Sequence, residues 1–265
     1  MARIATLHAL GDIWAMGAAP QAVLATVTLP QLGRGLQEEW LGEVMAGTTR
    51  SLEGTGAEVV GGHSSMGAEL SIGYSITGLV QGDPISLAGA QLGQRLVLTR
   101  ALGSGVLFAA EMQSKARGAD IVSLLEILEQ PQADAAAILA AAGASAMTDV
   151  TGFGLAGHLR GMLTQSGVGA TLTLDTIPLF DGALEMSNAG VRSHLYESNA
   201  AVPLIQERFD SRFRLLHDPQ TAGGLLASVP AAGADAVVES LRSAGFASSA
   251  VIGTITDAAG QLRVT

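Results

Sequence analysis

Apolar residues recur three or four apart at Ile4, Leu7, Leu10, Ile13 and Trp14, which predicts a helix over residues 4–17. Gly17-Ala18-Ala19-Pro20 ends it. "AVLATVTLP", between Pro20 and Pro30, predicts a strand, and residues 35–55 an amphipathic helix closing near Gly54 and Gly56. "AEVVGGHS" predicts a short strand running into a Gly-Gly turn. "LSIGYSITGLVQG" alternates well enough to predict a long strand.

The pattern restarts after the Asp83-Pro84 turn. "RLVLT" opens a new strand, and "ALGSGVLFAAEM" opens a helix at a glycine pair. An Ala-rich helix over residues 131–142 follows, then a strand at "ATLTLDTIPL". "LLHDPQTAGGLLASVP" predicts a loop, a glycine pair and a strand. A helix at 233–244 and a terminal hairpin in "AVIGTITDAAGQLRVT" close the chain. These elements predict an α+β protein of two domains, residues 1–88 and 89–265, sharing an interface because no Pro- or Ser-rich linker separates them.

Composition narrows the function classes. Of 265 residues, 48% are hydrophobic and 14% charged, enough apolar surface for a large core. Aromatics are only 4%, so that core rests on aliphatic residues and Met. No cysteine is present, which excludes disulfides, a thiolate metal site and a cysteine nucleophile within these residues. The net charge is −10, with 13 arginines and one lysine, Lys115. Without a basic stripe, nucleic acid is not an expected partner. No apolar run reaches the ~18 residues of a membrane span, and the start has no signal-peptide pattern, so a cytoplasmic protein is expected. A polyanion such as ATP would need bound cations to screen this charge.

Three stretches carry candidate chemistry. In "HALGDIWAMG", Asp12 interrupts an apolar helix, either as a surface carboxylate or as one compensated by a cation. In "GGHSSMGAEL", Gly61-Gly62 after a strand makes an ordinary turn or a backbone nest for an anion, with His63 and Ser64 beside it. No Gly-Lys-Ser/Thr follows, so this is not a Walker loop. In "SAMTDVTGFGLAGHL", Asp149 stands between a strand and a glycine-rich helix, as the helix N-cap or as a ligand for a divalent cation such as Mg2+. His8, His158, His194 and His217 lack metal-ligand spacing and read as solvated or as satisfied within the core.

"HALGDIWAMG", "GGHS", "LGSGVL", "AMTDVTGFGLAGHL" and "DPQTAGGLL", in this order and approximate spacing, resemble the selenophosphate synthetases (selenide, water dikinases) from residue 3 to the end. That family falls in the superfamily of aminoimidazole ribonucleotide synthetase. The resemblance implies a two-domain α+β fold and a homodimer built through the N-terminal sheet. It implies ATP held in a groove with several Mg2+ ions, and conversion of ATP, selenide and water to selenophosphate, AMP and phosphate. Residue by residue it implies Asp12 and Asp149 as metal ligands, with Asp12 also at ATP, and Gly61, Gly62, His63 and Ser64 as ATP contacts. The glycines after Asp149 would keep the helix start slim beside the triphosphate. The roles within "DPQTAGGLL" are left unassigned.

The chain departs from the family pattern at His8 and Gly11, where Asn and Ser are more usual, and at Ala222, where Ser is frequent. The family also has a preceding segment with a glycine-rich loop, a reactive Cys or selenocysteine, a Lys and further Asp ligands. The resemblance therefore implies an incomplete first domain, belonging to a longer or fused protein or completed by a partner. The alternative is a catalytically inactive ATP- and Mg2+-binding or interaction module.

Overall fold

The computed structural model describes residues 1–206 and 210–265. Helix α1 (Ala2–Ala15) leads into β1 (Ala19–Pro30), α2 (Arg34–Leu52), β2 (Glu58–Gly67) and β3 (Ser71–Leu79). Then come β4 (Arg95–Leu98), α3 (Ser104–Met112), α4 (Gly118–Leu128), α5 (Ala133–Ala141), β5 (Ala146–Asp149), α6 (Gly154–Ser166) and β6 (Gly169–Leu172). The rest comprises α7 (Ala183–Asn188), α8 (Tyr196–Asn199), β7 (Ile205–Gln206), α9 (Ser211–Arg214), β8 (Leu225–Val229), α10 (Ala234–Ser243), β9 (Ala250–Thr256) and β10 (Leu262–Val264).

The first three strands form one sheet in the order β2-β1-β3, with β2 parallel and β3 antiparallel to β1. The other seven form a second sheet, β5-β8-β4-β9-β6-β10-β7. Strand β1 alternates strictly through its middle: Val23, Ala25, Val27 and Leu29 are buried, while Leu24 and Thr26 face out. One face of the small sheet is thus covered by helices and the other is bare.

Helix α1 joins the two sheets. Its Leu7, Leu10 and Trp14 share a core with Val23 of the small sheet and with Val97, Leu225, Ala227 and Val229 of the large one. The helix ends where expected, with Gly17 at φ +67° and its amide bonded to the Trp14 carbonyl. The opposite face of the large sheet carries α6, whose Leu155, Leu159, Met162 and Leu163 pack on Leu96, Leu98 and Leu226.

Three local expectations are corrected. The expected terminal hairpin does not form, because β6 lies between β9 and β10 and β10 runs parallel to β6. Glycines admit that third strand: a Cβ at Gly253 would lie 2.4 Å from the Thr171 carbonyl, and one at Gly169 would lie 2.2 Å from that of Ala258. The strand expected over "ATLTLDTIPL" stops at Leu172 and gives way to a 3-10 turn at Leu174–Thr176. The Gly61-Gly62 turn is instead the middle of β2. A register shift pairs Val23 with Val59 and Leu24 with Gly61, leaving Val60 as a bulge. Gly62 takes φ +152°, where a Cβ would meet the Ala25 carbonyl at 1.9 Å.

Candidate functional site

Asp149 is the last residue of β5, and that position determines its environment. It is only 6% exposed. Its carboxyl is pushed up to about 6, chiefly by burial and then by the negative charge of Asp12. Beyond its own backbone amide, no donor among the described residues offsets that burial. Asp12 lies on the exposed side of α1. The helix comes close because residue 11 is glycine: a Cβ there would sit 3.0 Å from Asp149 Oδ2. Asp12 and Asp149 line one cleft of about 440 Å3, together with Met16, Ile85, Leu87 and Thr148.

This donor set fits a divalent cation. A nearly buried carboxylate next to a second carboxylate is costly until a positive charge enters. No group of three or more His, Asp or Glu that could hold a metal occurs among the described residues. A cation on Asp12 and Asp149 would therefore complete its shell with water or phosphate oxygens, as Mg2+ commonly does.

The N-cap alternative for Asp149 is not what forms. Helix α6 begins at Gly154 after a Phe153 cap, beyond the reach of Asp149. The intervening loop is held by His158, whose Nε2 accepts the Thr151 amide at 3.0 Å. Burial, with a smaller contribution from His8, pushes the His158 ring down to about 4 and keeps it a neutral acceptor. His158 and the buried His217 are thus satisfied within the fold, His217 Nδ1 meeting the Asn199 carbonyl at 3.2 Å.

The glycines after Asp149 also need correction. Gly154, at φ +69°, presses on the backbone of residues 216–218, and a Cβ at Gly157 would lie 2.7 Å from that of Phe153. Both are small to fit the protein's own backbone and side chains. Only Gly152 opens onto free space.

The "DPQTAGG" loop, without roles on sequence grounds, is a packed hub. Asp218, 2% exposed, accepts the Val106 amide through Oδ2 at 3.1 Å, and Gln220 Oε1 accepts the amides of Gly103 and Ser104. Together they cap the N-terminus of α3, as buried acceptors should. Burial pushes the Asp218 carboxyl up to about 7, against these hydrogen bonds. The loop also fastens the end of β5. The Gln220 amide donates to the Thr151 carbonyl, the Val150 amide to the Gly224 carbonyl, and a Cβ at Gly223 would fall 1.8 Å from the Val150 oxygen. The recoverable signal was an Asp-Pro-Gln ahead of a glycine pair, although it names no partner.

Gly61, Gly62, His63 and Ser64 lie elsewhere. They line a cleft of about 260 Å3 between β1, β2 and α2, with Val27, Leu41 and Met45. Neither Asp12 nor Asp149 borders it.

The chain matches known proteins over nearly its whole length. Residues 1–80 match the family AIR synthase related protein, N-terminal domain, and residues 91–264 match its C-terminal domain. A selenide, water dikinase of Nitrosomonas eutropha is 33% identical over 264 residues, 95% of this chain and 73% of the relative. One from Carboxydothermus hydrogenoformans is 34% identical, over 98% of this chain and 76% of its own length. Among solved structures, hydrogenase maturation protein HypE in complex with ATP superposes with a TM-score of 0.77 at 18% identity, over 99% of this chain and 75% of that one. Thiamine-monophosphate kinase of Stenotrophomonas maltophilia does so at 0.74 and 22% identity, over 99% and 78%. At such identities the structures share the fold.

Proposed function

The chain belongs to the AIR synthase related family, as a relative of the selenide, water dikinases, and on that premise we propose that it binds Mg2+-ATP for selenophosphate synthesis. The reaction takes ATP, selenide and water to selenophosphate, AMP and phosphate. The observation that supports this reading is the pairing of buried Asp149 with Asp12 in one cleft between α1 and the end of β5. Mg2+ bound there would supply the positive charge that a −10 chain lacks for a triphosphate. The chain's own part is to hold Asp149 at the end of β5, to bring α1 against it through Gly11, and to keep the carboxylates oriented.

A homodimer through the bare face of the small sheet is part of this proposal. That face presents Leu24 and Val60, 47% and 63% exposed, alongside Gly61 and His63. The cleft lined by Gly61–Ser64 is separate from the Asp12–Asp149 cleft within one chain. A second copy would let both sets of residues serve one nucleotide.

One observation favours a second reading, an ATP-binding module without turnover of its own. The sequence has no cysteine, and its single lysine, Lys115, bonds Gln113 Oε1 at 2.8 Å and lines neither cleft. Phosphoryl transfer depends on several placed charges, and losing one commonly costs about 100- to 1000-fold. The test incubates the purified 265-residue chain with ATP, Mg2+ and selenide without oxygen, followed by phosphorus NMR. Selenide-dependent AMP and selenophosphate support the first reading. Calorimetric binding of Mg2+-ATP without products supports the second, and no Mg2+-dependent binding removes both.

A further inference from the structure

His8 plays no part in the proposed metal pair, yet it makes the longest-range side-chain hydrogen bond described for α1. Its Nδ1 meets the Ala222 amide at 3.0 Å, 214 residues away. A backbone N–H can only donate, so Nδ1 is the acceptor and the ring carries its proton on Nε2. Among the described residues, the other polar contact from an α1 side chain to the large domain is the Arg3–Glu129 ion pair at the first turn. Its Arg3 side chain is 39% exposed and contributes little.

The Ala222 side of this bond is immobilised from several directions. Ala222 takes φ +42°, a conformation that non-glycine residues hold only when their surroundings enforce it. Its carbonyl accepts Arg100 Nη1, while Arg100 Nη2 donates to the Gln130 carbonyl at 2.9 Å. Two residues on, the Gly224 carbonyl accepts the Val150 amide at 2.8 Å, and Val150 follows Asp149 directly. A continuous path of hydrogen bonds and short covalent steps therefore runs from His8 through Ala222 and Gly224 to the end of β5.

On α1, His8 and Asp12 are four residues apart, one turn and about 6 Å along the axis. Gly11 on the intervening turn rests against Asp149. The α1 surface that packs here is apolar, and apolar contacts tolerate sliding because they lack direction. A hydrogen bond does not tolerate it: a displacement of about 1 Å takes 3.0 Å beyond bonding range.

We propose that His8 is a positioning residue, its Nδ1 bond to the Ala222 amide fixing the axial register of α1 against the 218–224 loop and so setting Asp12 opposite Asp149. The inference rests on the reading of Asp12 and Asp149 as the Mg2+-nucleotide pair, and it gives His8 a role that needs no contact with the nucleotide.

The test uses the full 265-residue chain. His8→Leu keeps bulk and removes the acceptor. His8→Asn keeps one, since Asn Oδ1 stands two bonds from Cβ, as Nδ1 does. Two quantities are read: hydrogen exchange at the Ala222 amide without ligand, and calorimetric affinity for Mg2+-ATP. Loss of the acceptor is expected to speed Ala222 exchange at least about tenfold, and to weaken Mg2+-ATP binding on the order of tenfold, the equivalent of one hydrogen bond. Binding of ATP in EDTA is expected to be unchanged, and His8→Asn is expected to restore both readouts. A leucine variant with fast Ala222 exchange but wild-type Mg2+-ATP affinity overturns the positioning role, as does an asparagine variant that behaves like leucine. His8→Ala, which adds no bulk, repeats the test should the leucine variant not fold. If the wild type binds no Mg2+-ATP, the functional reading fails, while the exchange data still decide whether His8 couples the two elements.

Discussion

Asp218→Asn should change how stability depends on pH. In the folded chain the Asp218 carboxyl is pushed up to about 7, mainly by burial, from an ordinary value of 3.8. Between these values the folded state binds a proton that the unfolded state does not. Stability from this group is therefore fully present below about 3.8 and is lost as pH rises through 7. From pH 8 to pH 5 the folded carboxyl gains its proton over roughly two units, worth about 2 to 3 kcal/mol at ~1.36 kcal/mol per unit. The side chain is almost wholly enclosed, so solvent screening does not discount this figure. Asparagine keeps an acceptor for the Val106 amide and cannot titrate. Any fixed penalty from its amide drops out when two pH values are compared. Asp149, raised to about 6, acts in the same direction, and His158, lowered to about 4, acts in the opposite one. Subtracting variant from wild type removes both. The assay is urea unfolding of each protein at pH 5 and pH 8. Wild type should gain about 2 to 3 kcal/mol more than the variant on acidification. Parallel curves would refute the claim that burial governs this carboxyl.

Other outcomes follow from the same geometry. Asp149→Asn should weaken Mg2+-dependent ATP binding by at least about tenfold, whereas exposed Asp181→Asn should leave it near wild type; equal effects in titration calorimetry count against the metal pair. Gly154→Ala should lower the melting temperature sharply, since its Cβ would meet three backbone atoms at 2.9 Å, while Gly152→Ala should change stability by no more than about 0.5 kcal/mol. Gly223→Ala must push away the Val150 carbonyl and should cost about 3 kcal/mol or more, with loss of Mg2+-ATP binding in whatever folds.

Periodicity and punctuation made much of the fold legible. The order of α1, β1, α2, β2 and β3 could be read because Gly17 closes α1 and Pro20 and Pro30 stand at the two ends of β1. The strand order of the large sheet could not. β6 enters between β9 and β10 through close backbone approach at Gly169 and Gly253, and a glycine does not announce which strand it admits. Asp12 and Asp149 were visible as lone carboxylates among apolar residues, but their nearness depends on Gly11, which looks like any helical glycine until Asp149 is opposite it. The capping roles of Asp218 and Gln220 were hidden because their partners on α3 lie more than 100 residues away. His8 and Ala222, both departures from the resembling family's pattern, turn out to be bonded to each other.

The sharing of one apolar core between the two sheets bears on how the protein could be divided. Cutting the chain near residue 88 would strip Leu10 and Trp14 from Leu225 and Val229, and would leave each half with a greasy wound rather than a finished surface. The halves should not melt as independent units; one calorimetric transition is the natural expectation for the whole chain. Substitutions in α1 would then be felt by residues that never touch it, because loosening that one helix loosens both sheets together.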